Sequence, residues 1–270
     1  MENHNYLVTI VTIVLNGKSH IEQTIRSVLN QNYAPIEYII IDGGSTDGTL
    51  SLIEAFTDKI DYFISEPDSG IYDAINKGIS LANGSLIGII HCGDYYETNA
   101  VSEAVAGFIK SGADIIYGDI SYIEEHHGLT INLIKKSDHH NLKTNMSIFH
   151  PATFVHRTCY FQYGLYDLSF RIASDYDYFL KLFLRGVKFY RVDKVLANFR
   201  DGGASGNYKL SLQENIAIRN KYLGYIASLE YALLAHIKHY FFRNRKWIIE
   251  KVIGPVAYFK LKRWYHKKND

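Results

Sequence analysis

LIGIIHCGDYY, residues 86–96, is an apolar run that stops abruptly at Cys92-Gly93-Asp94. Leu86, Ile87, Ile89 and Ile90 lie between Gly84 and Gly93, which suits a strand covered on both faces of a parallel sheet. In open α/β sheets ligands bind outside the carboxyl ends of the strands. Asp94 is therefore expected at the rim of a site, with Gly93 letting a ligand approach the backbone. From this stretch alone, a Gly-Asp turn that merely ends a strand accounts for the same residues equally well. The other strand ends weigh against that plainer reading.

Upstream, residues 7–15, LVTIVTIVL, are β-branched and apolar and break at Asn16-Gly17, as a central first strand does on leaving the core. Ile21, Ile25, Val28 and Leu29 then repeat at helical spacing. Residues 37–41 predict a second buried strand that runs into Asp42-Gly43-Gly44-Ser45-Thr46-Asp47-Gly48-Thr49. Ser45, Thr46 or Asp47 can cap the helix that follows, with Leu50, Ile53 and Phe56 turned inward. Residues 62–65 predict a third strand, ending in Glu66-Pro67-Asp68-Ser69-Gly70, before Ile71, Ile75 and Ile79 mark another helix face. This alternation predicts an α/β fold with right-handed crossovers and all strand ends on one side, so that Asp42, Asp68 and Asp94 can line one crevice. Singly, each acid reads more readily as a turn or cap residue. Three on one sheet edge suit a divalent cation that brings a diphosphate with it.

Composition narrows the classes. A chain of 270 residues can bury a large core, and 47% hydrophobic with 21% charged residues excludes a disordered polymer. Tyr 22 and Phe 14 make it rich in aromatics, which suits sugar or lipid contacts as well as core packing. A formal charge of +1 gives no argument for nucleic acid. Cys92 and Cys159 lack metal-binding spacing and suggest a reducing, cytoplasmic setting. Residues 1–6 are polar and residues 7–15 too few to span a bilayer, so no signal peptide is expected. The absence of GxGxxG after the first strand and of GxxxxGK[ST] anywhere removes the usual dinucleotide and P-loop cradles.

Five segments in order carry a resemblance: VTIVTIVLN at 8–16, IIIDGGSTDGT at 39–49, SEPDSGIYDAINKGI at 65–79, HCGD at 91–94 and ASDYDYFLKL at 173–182. Over about residues 6–205 the chain resembles family 2 glycosyltransferases. The resemblance implies the GT-A fold, a Rossmann-like, mostly parallel sheet flanked by helices. It also implies a nucleotide-binding half at about 1–98 and an acceptor half at about 99–205, with residues 206–270 a helical, basic and aromatic extension. By the same resemblance the first strand's exit from Thr12 through Val14 to Asn16, with Asp42 and Gly43, belongs to the nucleoside site, and Gly70 to Asn76, Ile71 among them, cover the diphosphate and sugar with Asp68 beside them. Asp94 takes the place of the last acid of the family's DxD metal signature, for Mg²⁺ or Mn²⁺. Cys92 or Gly93 stands where its first acid touches the ribose, so one carboxylate is the obvious protein ligand. Asp175 takes the position of the catalytic base.

Residues 113–118 predict another short strand, and residues 119–145 read as a polar segment. Its pairs His126-His127 and His139-His140 lack the i, i+4 spacing of helical metal ligands. His150, before Pro151, is a second candidate for metal or phosphate, beside its plainer reading as a structural histidine. Ser174 can cap a helix with Asp175 and Asp177 in its first turn, where both also complement the helix dipole. A carboxylate is wanted there because displacement at an anomeric carbon needs the acceptor hydroxyl deprotonated opposite the departing diphosphate. Residues 199–207, FRDGGASGN, suit either a lid hinged at Gly202 and Gly203 or a plain connector. From residue 210 the pattern is helical, with Tyr222, Ile226, Leu229, Leu233 and Ile237 along one face.

Residues 238–270 hold ten Lys and Arg against Glu250 and Asp270, interleaved with aromatics. Such a tail suits either packing on the domain or an anionic membrane surface, at the inner face of the cytoplasmic membrane. The expected function is an inverting, metal-dependent, hexosyltransferase-type glycosyltransferase. It would use a nucleoside-diphosphate sugar, UDP favoured, and a hydroxyl of a glycan or polyprenyl-linked acceptor. The alternatives are a nucleotidyltransferase that forms sugar nucleotides, for which VLNGKSH lacks a basic Gly-rich loop, and a non-catalytic sugar-nucleotide-binding protein.

Overall fold

The structure, a computed structural model, describes residues 6–126, 128–202 and 206–269. In chain order its first half runs β1 (Val8–Val14), α1 (Ile21–Leu29), β2 (Ile36–Asp42), α2 (Thr49–Glu54), β3 (Tyr62–Ser65), α3 (Ile71–Leu81), β4 (Leu86–His91), β5 (Tyr95–Tyr96) and α4 (Ala100–Ser111). There follow β6 (Ile115–His126), β7 (Leu129–Lys135), β8 (Thr153–His156), α5 (Arg157–Tyr163), α6 (Ser174–Leu184), β9 (Phe189–Arg200), α7 (Tyr208–Leu223), α8 (Tyr225–Ile253) and α9 (Pro255–Asn269).

The apolar runs form one sheet in the order β3-β2-β1-β4-β8-β6-β9-β5, with β7 beside β6. β1 pairs in parallel with β2 (Val14↔Asp42) and with β4 (Ile13↔His91), and β2 pairs in parallel with β3 (Asp42↔Ser65). Val14, Asp42, Ser65 and His91 thus end at one edge, as right-handed crossovers require. Beyond β4 the sense changes, since β8 is antiparallel to both β4 and β6. The fold is mixed α/β, with the expected parallel half carrying the strand ends.

All seven residues of β1 are buried, and Ile39, Ile40, Leu86 and Ile90 are fully or almost fully withdrawn from solvent. Burying such a side chain contributes about 1.5–3 kcal/mol, which is why β-branched runs occupy the centre. α3 lies close against β1 because Gly78 has no side chain: a Cβ there would meet Val11 Cγ1 at 2.3 Å.

Three local expectations need correction. The stretch 119–145 is largely a hairpin, β6 and β7 turning at Gly128 (φ 73), followed by a 3-10 turn at His139–Lys143. The alternation in LTINLIK, with Ile131 buried between exposed Thr130 and Asn132, was the strand signal beneath the polar composition. Ser174 is the first residue of α6 and Ala173 its cap; the Ser174 hydroxyl is buried without a partner. α2 is capped by Gly48 in a left-handed conformation (φ 96), while Asp47, one residue further out, accepts the Thr49 N–H at 3.0 Å.

The chain forms two compact units, one of Met1–Ser121 with Ile134–Phe199, the other of Tyr122–Leu133 with Arg200–Asp270. In the second, Lys262 holds both Glu124 oxygens at 2.6 and 2.8 Å, and the Tyr122 hydroxyl donates to Asp201 at 2.5 Å. The helical pattern from residue 210 is split at Gly224 (φ 87) into α7 and α8. Among the described residues no helix is long and apolar enough to cross a membrane.

Candidate active site

The exits of the first three strands are tied to one another. Asn16, in a left-handed conformation (φ 51) that asparagine tolerates, donates its N–H to Ser45 Oγ at 2.7 Å and accepts the Thr46 N–H on Oδ1 at 2.9 Å. Gly17 N–H bonds Thr49 Oγ1 (2.9 Å) and Lys18 N–H bonds Asp47 Oδ2 (3.1 Å). Thr12 and Val14 are buried: the Thr12 hydroxyl sits 3.0 Å from that of Tyr38, and Val14, 5% exposed with its carbonyl accepting the Gly43 N–H, has Cγ2 beside Gly17, 2.6 Å from where a Cβ would stand.

Asp42 is wholly buried and organises the second exit. Its Oδ2 accepts from the N–H groups of Gly44 and Ser45 and from the Ser65 hydroxyl, at 2.8 to 3.0 Å, which leaves Oδ1 buried without a partner. Asp68 lies directly over Gly43, where a Cβ would meet its Oδ2 at 2.3 Å, and its Oδ1 accepts the Gly70 N–H at 2.8 Å. Gly43 therefore makes the room in which the second and third strand ends meet.

At the end of β4, Asp94 is 5% exposed and is clasped from α1: Thr24 Oγ1 donates to the Asp94 carbonyl at 2.7 Å and accepts the Gly93 N–H at 3.2 Å. Cys92 lies against Gly17, its thiol 3.4 Å from that carbonyl. Burial, then the charges of Asp94 and Asp47, push the Cys92 thiol up to about 12. The turn is thus locally negative and Cys92 stays a neutral thiol at physiological pH. Its donor set is oxygen, which fits a hard cation such as Mg²⁺ or Mn²⁺ better than a thiolate-seeking one.

Asp175 stands in the first turn of α6, where Oδ1 accepts the hydroxyl of Tyr72 at 3.0 Å and the N–H of Tyr176 at 2.8 Å. Tyr72 is the second residue of α3, two positions after Gly70 (φ 124), and is 6% exposed. Its ring stacks on Tyr166 (5.6 Å, 27°), whose backbone is gripped on both sides by the Asn76 carboxamide at 2.9 and 3.0 Å. Asn76 thereby holds Tyr166, while Gly70 and Ile71 remain at the open start of the helix. The structure thus brings Asp175, 103 residues further along the chain, to the element that Gly70 opens.

His150 faces His91 at 5.1 Å between ring centres, and both Nε2 atoms are buried without partners. Burial lowers His91 to about 4; burial and then His91 hold His150 well below the usual imidazole range. Asp138, His139 and His140 bring one ligand-capable atom each within 4.8 Å of one another. There Asp138 already caps the 3-10 turn through the His140 N–H, and the Tyr117 hydroxyl is 2.6 Å from His139 Nδ1. His127 and the side chain of His126 lie outside the described residues, as do residues 203–205 with one of the two glycines expected to hinge a lid.

Thr24, Ser65 and Tyr166 are site-building residues that the sequence did not single out. Tyr72 fell within the segment 70–76 expected to cover the diphosphate and sugar, without a role of its own.

A glycosyl transferase family 2 model matches residues 9–163. A Mycobacterium tuberculosis protein described as an uncharacterized glycosyltransferase is 30% identical over 181 residues, 64% of this chain and 68% of its own. A PGL/p-HBAD biosynthesis glycosyltransferase of Mycobacterium bovis is 27% identical over 206 residues, 74% and 78% of the two chains. Among solved structures, TarS 1–349 of S. aureus in complex with UDP-GlcNAc superposes with a TM-score of 0.63 at 14% identity, over 78% of this chain and 66% of that one. A mannosyltransferase from Pyrobaculum calidifontis in complex with GDP-Man and Mn²⁺ gives 0.61 at 14%, over 86% and 74%.

Proposed function

We propose, from the premise that the chain belongs to glycosyl transferase family 2, an inverting transfer of a hexosyl group from a nucleoside-diphosphate sugar to a hydroxyl of a glycan or lipid-linked acceptor. The observation that carries it is the hydrogen bond from Tyr72 to Asp175, which fixes a carboxylate beside the head of α3. Asp175 would accept the proton of the acceptor hydroxyl as that oxygen attacks the anomeric carbon, with the diphosphate leaving from the opposite face. Inversion follows from one such displacement. A retaining mechanism would want a second carboxylate as nucleophile, about 5 Å from the first.

The donor would lie along the tied strand exits. Asp42 Oδ1 would accept from the nucleobase beside Asn16 and Gly43, Cys92 and Gly93 would flank the ribose, and Gly70 with Ile71 and Asp68 would lie along the diphosphate. UDP is the favoured nucleotide, and structural relatives crystallised with UDP-GlcNAc and with GDP-Man support the donor class. Asp94 would hold Mg²⁺ or Mn²⁺, with His150 as a second candidate donor. Such an ion, when bound, neutralises charge on the departing diphosphate. The acceptor's attachment to lipid belongs to the same reading.

Transfer or donor hydrolysis with Mn²⁺ tests it. Asp175→Asn should lower kcat by about 10²–10⁴ while nucleotide affinity stays within twofold. Asp94→Ala should remove the metal-dependent part of that affinity, and the product's anomeric coupling constant should report inversion. A wild type that binds UDP yet turns over no donor would leave a sugar-nucleotide-binding protein. Release of pyrophosphate from a nucleoside triphosphate and a sugar phosphate would mark a nucleotidyltransferase.

A further inference from the structure

The helix α8 has its polarity reversed for a surface helix. The side that meets α7 is small or polar: Ser228 is 2% exposed, Tyr231 lies under Arg219 at 4.7 Å, the Ala235 carbonyl accepts the Tyr208 hydroxyl at 3.1 Å, and His239 stacks on Tyr208 at 3.8 Å. The opposite side carries Ile226, Leu229, Leu233, Ile237 and Tyr240, spaced by three or four, with Phe241 four after Ile237, all 47 to 73% exposed. This stripe is about 24 Å long. Of 21 large apolar side chains exposed among the described residues, 12 fall in residues 225–264. So dense a patch marks an interaction surface rather than the ordinary scatter of surface hydrophobics.

Charge identifies the occupant. Residues 238–270 carry ten Lys and Arg against two acids, which leaves 19 cations and 26 acids for residues 1–237. Lys262 is occupied by Glu124, whereas Lys260 and Arg263 are exposed. A second copy would bring two strongly positive tails together, and nucleic acid would leave the leucine stripe in water. A lipid surface satisfies both features at once, since apolar side chains enter the headgroup boundary while cations meet anionic headgroups.

We propose that the outward face of α8, with the cations that follow it, seats this protein on an anionic phospholipid bilayer, the helix lying in the plane of the headgroups. The apolar half of the contact, residues 226–241, is largely N-terminal to the basic half. Seating is a binding property of the second unit and needs neither donor nor turnover, so it stands or falls separately from the transfer reaction.

The test is flotation of the full chain with vesicles of phosphatidylcholine alone or with phosphatidylglycerol. Wild type should bind the anionic vesicles at least about tenfold more strongly, and lose that margin as salt rises. Leu229→Ser/Leu233→Ser/Ile237→Ser should weaken binding about tenfold or more. Lys260→Gln/Arg263→Gln should weaken it several-fold at low salt. Should the triple variant lose its circular dichroism, Ile226→Ser, at a position 73% exposed, gives the same reading with a smaller loss. Equal binding to both vesicle types would overturn the proposal, as would apolar variants that float like wild type. So would a wild-type dimer in sedimentation that the triple variant dissolves while vesicle binding persists.

Discussion

The Tyr72 hydroxyl that donates to Asp175 fixes where that carboxylate points. Tyr72→Phe keeps the stacked ring and removes only the donor. It should lower kcat several-fold with donor KM little changed. A role in packing alone would lower the melting temperature and leave kcat in place. Cys92 allows a second check: with its thiol pushed up to about 12, by burial and then by Asp94 and Asp47, the native protein holds almost no thiolate there. Iodoacetamide at pH 8 should label Cys92 at least tenfold more slowly than in denaturant, read by peptide mass spectrometry. Asp94 and Asp175 were visible in the sequence because each follows or opens a regular element. The bonds of Thr24 and Tyr72 were not, because their partners lie 70 and 103 residues away, a separation that local pattern does not encode.

Among the elements, β1, β2 and β4 were legible because runs of β-branched residues between turn signals leave few alternatives. The β6–β7 hairpin escaped because charged and histidine residues on one face mask a period of two on the other. What holds the amino ends of the parallel strands was hidden too: Glu37 accepts from Thr9 Oγ1 at 2.5 Å, Asn83 N–H at 2.8 Å and Asn83 Nδ2 at 2.7 Å. Burial alone would raise this carboxyl, but the bonds from Asn83, Thr9 and Gly84 overcome it and hold it below the usual range. A carboxyl lowered on folding stabilises above its unfolded pKa, and that stability fades as pH falls through the lower folded value. Glu37→Gln should therefore cost about 1–3 kcal/mol at pH 7. It should also flatten the loss of stability between pH 5 and 3, both measured by urea unfolding.

At the scale of the molecule, the sequence announced the basic tail but not the company it keeps, since residues 122–133 fold with it through pairings such as Lys262 with Glu124. Ligand binding should be felt mainly by the first unit, which holds the exits of β1, β2, β3 and β4. UDP or GDP with Mn²⁺ at 100 times the dissociation constant should add about 2.7 kcal/mol. For a unit of that size the transition should move by about 5–10 °C, read by calorimetry. Asp94→Ala should remove the part that depends on Mn²⁺. The cross-links at the rim, Asn16 to Ser45 and Thr46, Gly17 to Thr49 and Lys18 to Asp47, run between loops rather than down into the sheet. Neither loop can open while its neighbour stays shut, so the two behave as a single latch. Their amide hydrogens should trade with deuterium at a common rate, and changing Ser45 to alanine should quicken the exchange on both sides.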